Sequence, residues 1–118
     1  MKYHVIEENN LLVICLSGDP KKNEVVMAKS VIFPYIKGEG IKVIIDLKGL
    51  CKFEPVTLVG FLNGIKKEVD FLKGCLKLCS LKPEALNYFK QNRLEYVFQI
   101  YEDREMAEKS KWRDYVKK

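Results

Sequence analysis

Ile41–Leu72, IKVIIDLKGLCKFEPVTLVGFLNGIKKEVDFL, reads as a strand, a short loop and a helix. Val43, Ile44 and Ile45 form an unbroken β-branched run, which suits a strand buried on both faces better than one with a wet face. A buried strand of that kind implies a parallel sheet, and the run predicts the strand over Val43–Asp46, with Asp46 and Gly49 breaking it. Pro55 has a φ already set for a first helical position, and the N–H it lacks is one the helix cannot use there. The helix is therefore expected to start near Glu54. Leu58, Phe61 or Leu62, Ile65, Val69 and Leu72 recur at three- and four-residue steps, while Lys66, Lys67 and Glu68 fall off that stripe.

Working outward, Tyr3–Glu7 and Leu11–Ser17 flank a turn at Glu8-Asn9-Asn10 and read as a hairpin. Asn23 is a candidate cap for a helix from Glu24 whose apolar side is Val25, Ala28, Val31 and Ile32. Pro34 should push Phe33 out of the α region, and Gly38 and Gly40 close the connection into the central strand. Further on, Cys75–Ser80 reads as a fourth strand, and Pro83 opens a helix that places Leu86 and Phe89 a turn apart. Asn92 is the expected left-handed stop of that helix, and Val97–Tyr101 the fifth strand. Asp103 can cap a last helix, residues 104–118, with Glu105 early and Lys109, Lys111 and Arg113 later, reaching Trp112 or beyond. Strand and helix alternate after the hairpin, so the class is α/β: one domain over residues 1–118, a five-stranded mostly parallel sheet and four helices.

Composition bounds the function. At 118 residues the chain can bury a core without metal or disulfide staples, and 47% apolar with 31% charged residues is the balance of a globular protein. No apolar run approaches a membrane span, and MKYHVIEENN lacks the apolar stretch of a signal peptide, which predicts a cytoplasmic location. Cys15, Cys51, Cys75 and Cys79 include no C-x-x-C pair and the chain has one histidine, so neither a metal site nor a redox motif is expected. The cysteines read as small apolar fillers in a reduced compartment. His4 lies on an N-terminal strand with no acidic or thiol partner nearby in sequence, which favours a structural or surface role. The net charge of +5 sits mostly in the tail: residues 1–103 carry fifteen basic and thirteen acidic side chains, residues 104–118 six and three. No stretch interleaves clustered basic residues with stacking aromatics, so nucleic acid is not an expected partner.

The order VIIDLKGL, a variable loop, a Leu-rich helix and then KLCSLKPEALNYFKQNRLEYVFQIYED resembles the STAS domain, the family of anti-sigma factor antagonists and sulfate-transporter C-terminal domains. In that family a Ser or Thr in the loop after the central strand is phosphorylated by a kinase that is also the anti-sigma factor. Aligned on Asp46-Leu47-x-Gly49 and Leu58, that position falls on Pro55, with Glu54 before it and Val56 and Thr57 after it. Pro55 has no hydroxyl, so the resemblance extends to the fold and not to the switch. Thr57 is the one residue of this segment that can take a phosphate, but it lies two residues deeper in the helix. Glu54 carries a permanent negative charge beside the helix dipole, either imitating a phosphate or helping to cap the helix.

The resemblance implies a non-enzymatic binding module with no cofactor, and a protein partner of the anti-sigma factor or kinase-like kind. The partner surface it implies is Lys52, Glu54, Pro55, Val56 and Thr57, with Asp19, Lys21 and Lys22 of the preceding loop. An accessory subunit of a membrane-associated transport or signalling complex, its basic tail touching acidic lipid or protein, is the alternative. An enzyme with Cys51 as nucleophile beside Glu54 is disfavoured, since it has no positioned base.

Overall fold

The computed structural model describes residues 1–52 and 54–112, and the backbone alone of Lys22. Its elements are β1 (Lys2–Glu8), β2 (Leu11–Gly18), α1 (Lys22–Ile32), β3 (Lys42–Leu50), α2 (Pro55–Phe71), β4 (Cys75–Cys79), α3 (Pro83–Gln91), β5 (Gln99–Tyr101) and α4 (Arg104–Lys109). The five strands lie in the order β1-β2-β3-β4-β5. The β1–β2 hairpin is antiparallel and every other pairing is parallel. As the β-branched run predicts, Val43, Ile44 and Ile45 lie in the central strand, sealed from solvent on both faces.

Alternation along the strands sends two sets of side chains to opposite faces. Leu12, Ile14, Leu16, Val43, Ile45, Leu47, Leu76 and Leu78 meet the stripes of α1, α2 and α3, where Val25, Ala28, Ile32, Leu58, Phe61, Leu62, Ile65, Val69 and Phe89 are buried. Val13, Ile44 and Cys79 face the other way and pack under Ala107 of α4.

The observed elements correct several expectations. β3 runs on to Leu50 instead of stopping at Asp46. Gly49 permits this: a Cβ there would lie 2.7 Å from the Cβ of Ser17, at the place where the β2–β3 register shifts. α1 starts at Lys22, so Asn23 lies inside the first turn and is not the cap. Val31 is exposed rather than buried. Phe33 stays right-handed α, and the chain tightens into a 3-10 turn over Phe33–Tyr35 with Pro34 at its start. In α3 the fully buried residues are Ala85 and Phe89, with Leu86 half-buried. The left-handed residue after it is Arg93, at φ 57°, and not Asn92. Another 3-10 turn, Leu94–Tyr96, shortens β5 to three residues.

Asp103 does cap α4, its carboxylate accepting from the Met106 N–H at 2.8 Å. The last helix, however, ends at Lys109: Ser110 is extended at φ −69°, ψ 160°, so Trp112 is not helical. The expected continuation over 113–118 lies outside the described residues. No helix among the described residues is long and apolar enough to cross a membrane.

Candidate functional site

Parallel strands deliver their outgoing loops to one end of the sheet, the usual place for recognition in α/β folds. Here the β2–α1 and β3–α2 loops are tied together. The Cys51 N–H donates to the Gly18 carbonyl at 2.8 Å, and the Lys52 ammonium lies 3.9 Å from an Asp19 carboxylate oxygen. Lys21, Lys52 and Glu54 are exposed, Asp19, Pro55 and Thr57 half-buried, and Val56 is 87% exposed. The expected partner-binding residues from both loops therefore do come together, with Lys22 placed by its backbone only.

α2 begins as the proline requires. Glu54 is its extended N-cap residue, Pro55 its first helical residue, and the Leu58 N–H bonds back to the Glu54 carbonyl at 2.8 Å. The Glu54 side chain makes no capping hydrogen bond, so of the two roles open to this carboxylate the capping one is not taken. It stands as an exposed charge beside the positive helix end. Thr57 is held in the first turn.

The third loop, after β4, adds residues that the sequence reading passed over. Lys82 and Glu84 close a small cleft of about 50 Å³ with Leu47, Leu50, Cys51, Lys52 and Ala85. The parallel order itself was the available signal, because it sends the Ser80–Lys82 loop to the same end as the other two. The loops and helix starts at this end of the sheet carry charges of both signs, Asp19, Lys21, Lys52, Glu54, Lys82 and Glu84, and Val56 is exposed in the first turn of α2.

The register aligns His4, Cys15, Asp46, Cys79 and Tyr101 across all five strands, giving His4 the thiol neighbour that sequence proximity hid. Burial and the neighbouring Asp46 carboxylate push the Cys15 thiol up from its ordinary value and Cys79 to about 12. Both stay protonated, the opposite of an activated nucleophile. Cys15 is half-buried and Cys51 exposed, so the reading of all four cysteines as core fillers holds for Cys75 and Cys79 alone. Among the described residues no cluster of His, Cys, Asp or Glu could hold a metal.

A second residue missed by sequence reasoning is Lys77, fully buried on the α4 face. Its ammonium donates to the Ala107 carbonyl at 2.9 Å, to the Ser110 carbonyl at 3.1 Å and to Ser110 Oγ at 2.5 Å. It also lies 3.8 Å from the centre of the Trp112 ring and 4.9 Å from that of Tyr101. Burial lowers its pKa, opposed by Cys75 and reinforced by Lys42. Lys77 fixes the end of α4 to the sheet; it is a structural clamp well away from the loops.

No protein-family model and no curated protein sequence matches the chain. Solved structures do. An anti-sigma-factor antagonist (STAS) domain protein from Planctomyces limnophilus superposes with a TM-score of 0.74 at 22% identity, over 89% of this chain and 93% of that one. The chain has the STAS-domain fold. The anti-sigma factor antagonist SpoIIAA in its unphosphorylated form matches with a TM-score of 0.68 at 16% identity, over 91% of this chain and 94% of that one. The phosphorylated form of SpoIIAA, the Bacillus cell fate determinant, gives 0.70 at 18%, over 91% and 97%. At these identities the likeness establishes the STAS architecture.

Proposed function

We propose that this chain is a non-enzymatic regulatory module that docks a protein partner, of the anti-sigma factor or kinase-like kind, and docks it constitutively. The observation that carries the reading is the first turn of α2: Val56 stands exposed beside Pro55, at the end of the sheet where three loops supply charges of both signs. An exposed apolar residue among charges of both signs is the anatomy of a protein-binding patch. Pro55 stands where the STAS resemblance puts the phosphorylated hydroxyl, and it pre-forms the helix start without offering a phosphate acceptor. Glu54 supplies one fixed negative charge in place of a switchable one. The membrane-associated alternative rests mainly on the basic tail, of which only residues 104–112 are described, and no observation favours it.

The test is a double charge reversal, Lys52→Glu with Glu54→Lys, at two exposed positions that leave the core untouched. Partner capture from native cell extract should fall at least about tenfold while the circular dichroism spectrum is unchanged. Undiminished capture by the folded double variant would remove this loop as the docking site.

A further inference from the structure

β1 is one of the two edge strands of the sheet, and the charges that could blunt it, Lys2, Glu7 and Glu8, sit at its ends. It runs seven residues in unbroken register with β2, without a bulge or a proline. Natural edge strands are usually short, bulged or proline-marked because a free edge recruits another strand. Glu8 and Leu11 pair directly across a two-residue turn, which makes them a mutually hydrogen-bonded pair. Lys2, His4, Ile6 and Glu8 therefore spend their backbone groups on β2, while those of Tyr3, Val5 and Glu7 point outward.

The charges along this strand select its partner. Lys2 stands at one end and Glu7 and Glu8 at the other. A parallel copy would set like charges side by side. An antiparallel copy centred on Val5 sets Lys2 opposite Glu8 of the second copy, twice over by symmetry, and Tyr3 opposite Glu7, with Val5 against itself. About six backbone hydrogen bonds would join the two edges.

A second observation comes from α1. Lys29 reaches α2, its ammonium lying 2.6 Å from where a Cβ on Gly64 would stand. Met27 and Val31 are two residues either side of Lys29, about 200° round the helix, and so project away from α2 toward the β1 edge. They are 69% and 44% exposed, and Tyr3 on the same face of the sheet is 41% exposed. Val31 belongs to the apolar stripe of α1 by sequence, yet finds no place in the monomer's core. A two-fold axis through Val5, perpendicular to the sheet, brings α1 of each copy to the same side of the joined sheet, with these residues toward the seam.

We propose that β1 is a self-association edge, joining two copies of this chain antiparallel through Val5 into one continuous ten-stranded sheet, with Met27 and Val31 facing across the seam. This edge is separate from the loop end and does not rest on the docking role proposed for it.

Sedimentation equilibrium on the full chain tests it from low to high micromolar protein. The wild type is expected to dimerise reversibly. Lys2→Glu should raise the dissociation constant roughly tenfold or more by setting like charges opposite each other, and Lys2→Glu combined with Glu8→Lys should restore it. Val5→Pro removes an outward N–H and no bond of the β1–β2 ladder, so it should give a folded monomer. A chain that stays monomeric throughout the range overturns the proposal. So does a dimer indifferent to Lys2→Glu, or one that the double charge swap fails to restore, whether or not Val5→Pro folds.

Discussion

The two faces of the sheet are sealed by different physics. On one, three helices lay down a wide apolar layer in which Ile14, Ile32, Ile45, Leu62, Ile65, Val69, Leu78 and Phe89 are fully buried. On the other, a six-residue helix covers a narrow strip, and the largest group beneath it is the ammonium-bearing side chain of Lys77. The first face draws its stability from area removed from water, which scales with how much is covered. The second has too little apolar area to hold α4 that way. It uses directed bonds to the last carbonyls of α4, where a cation also suits the negative helix end. Helices that cover area resist local loss, whereas a short helix pinned at one point is released by removing the pin.

The largest effect is expected from a cavity on the first face. Leu62→Ala should cost about 2–5 kcal/mol in chemical denaturation, with the whole domain losing stability together. A cost under about 1 kcal/mol would deny that this layer dominates. Lys77→Ala should cost about 1–3 kcal/mol by taking the ammonium donor away from the Ala107 and Ser110 carbonyls. Hydrogen exchange should show that loss concentrated in residues 103–112, with β3 following only the global change. Uniform loss of protection would make Lys77 part of the global core instead.

Cys79 holds its proton to about 12 when folded, against an unfolded value near 8.5, so between these the unfolded state binds fewer protons and stability falls as pH rises. The wild type should lose about 1.4 kcal/mol per pH unit, once well above ~8.5, relative to Cys79→Ala. Parallel curves for the two proteins would show that Cys79 ionises freely in the fold. In the native state exposed Cys51 should react with a thiol reagent well before buried Cys79. The smallest effect is at the start of α4, where Asp103→Ala should cost about 1 kcal/mol by removing the Met106 cap, again seen first in local exchange.

The two faces were also unequally legible in the sequence. Period-two and period-3.6 patterns report covered area, so the central β-branched strand and the α2 stripe from Leu58 to Val69 could be read directly. Pro55 and Pro83 mark their helix starts through a backbone constraint local to one residue. Lys77 carries no such mark. In Cys75–Cys79 it interrupts an apolar strand, and its partners, Ala107 and Ser110, lie thirty or more residues away. The end of α4 is hidden from the sequence for the same reason: the charge order Glu105 to Arg113 favours a longer helix, but Ser110 turns extended while it bonds to Lys77. Val31 was assigned to the core because its spacing fits the stripe, while the neighbouring α2 fixes the rotation of α1 and leaves it outside. At the loop end, the Asp19–Lys52 and Cys51–Gly18 contacts join segments thirty-three residues apart. Parallel topology could place those loops at one end, though not in touch.

The docking proposed for the loop end is constitutive because Pro55 stands where the STAS resemblance puts an acceptor hydroxyl. The most direct measurement is the intact mass of the chain, free and partner-bound, after incubation with ATP in native cell extract. The unmodified mass is expected in both pools, with capture that does not depend on ATP. A stoichiometric gain of one phosphate mapped to Thr57, accompanied by release of the partner, would contradict it and show that the switch had moved two residues into the helix.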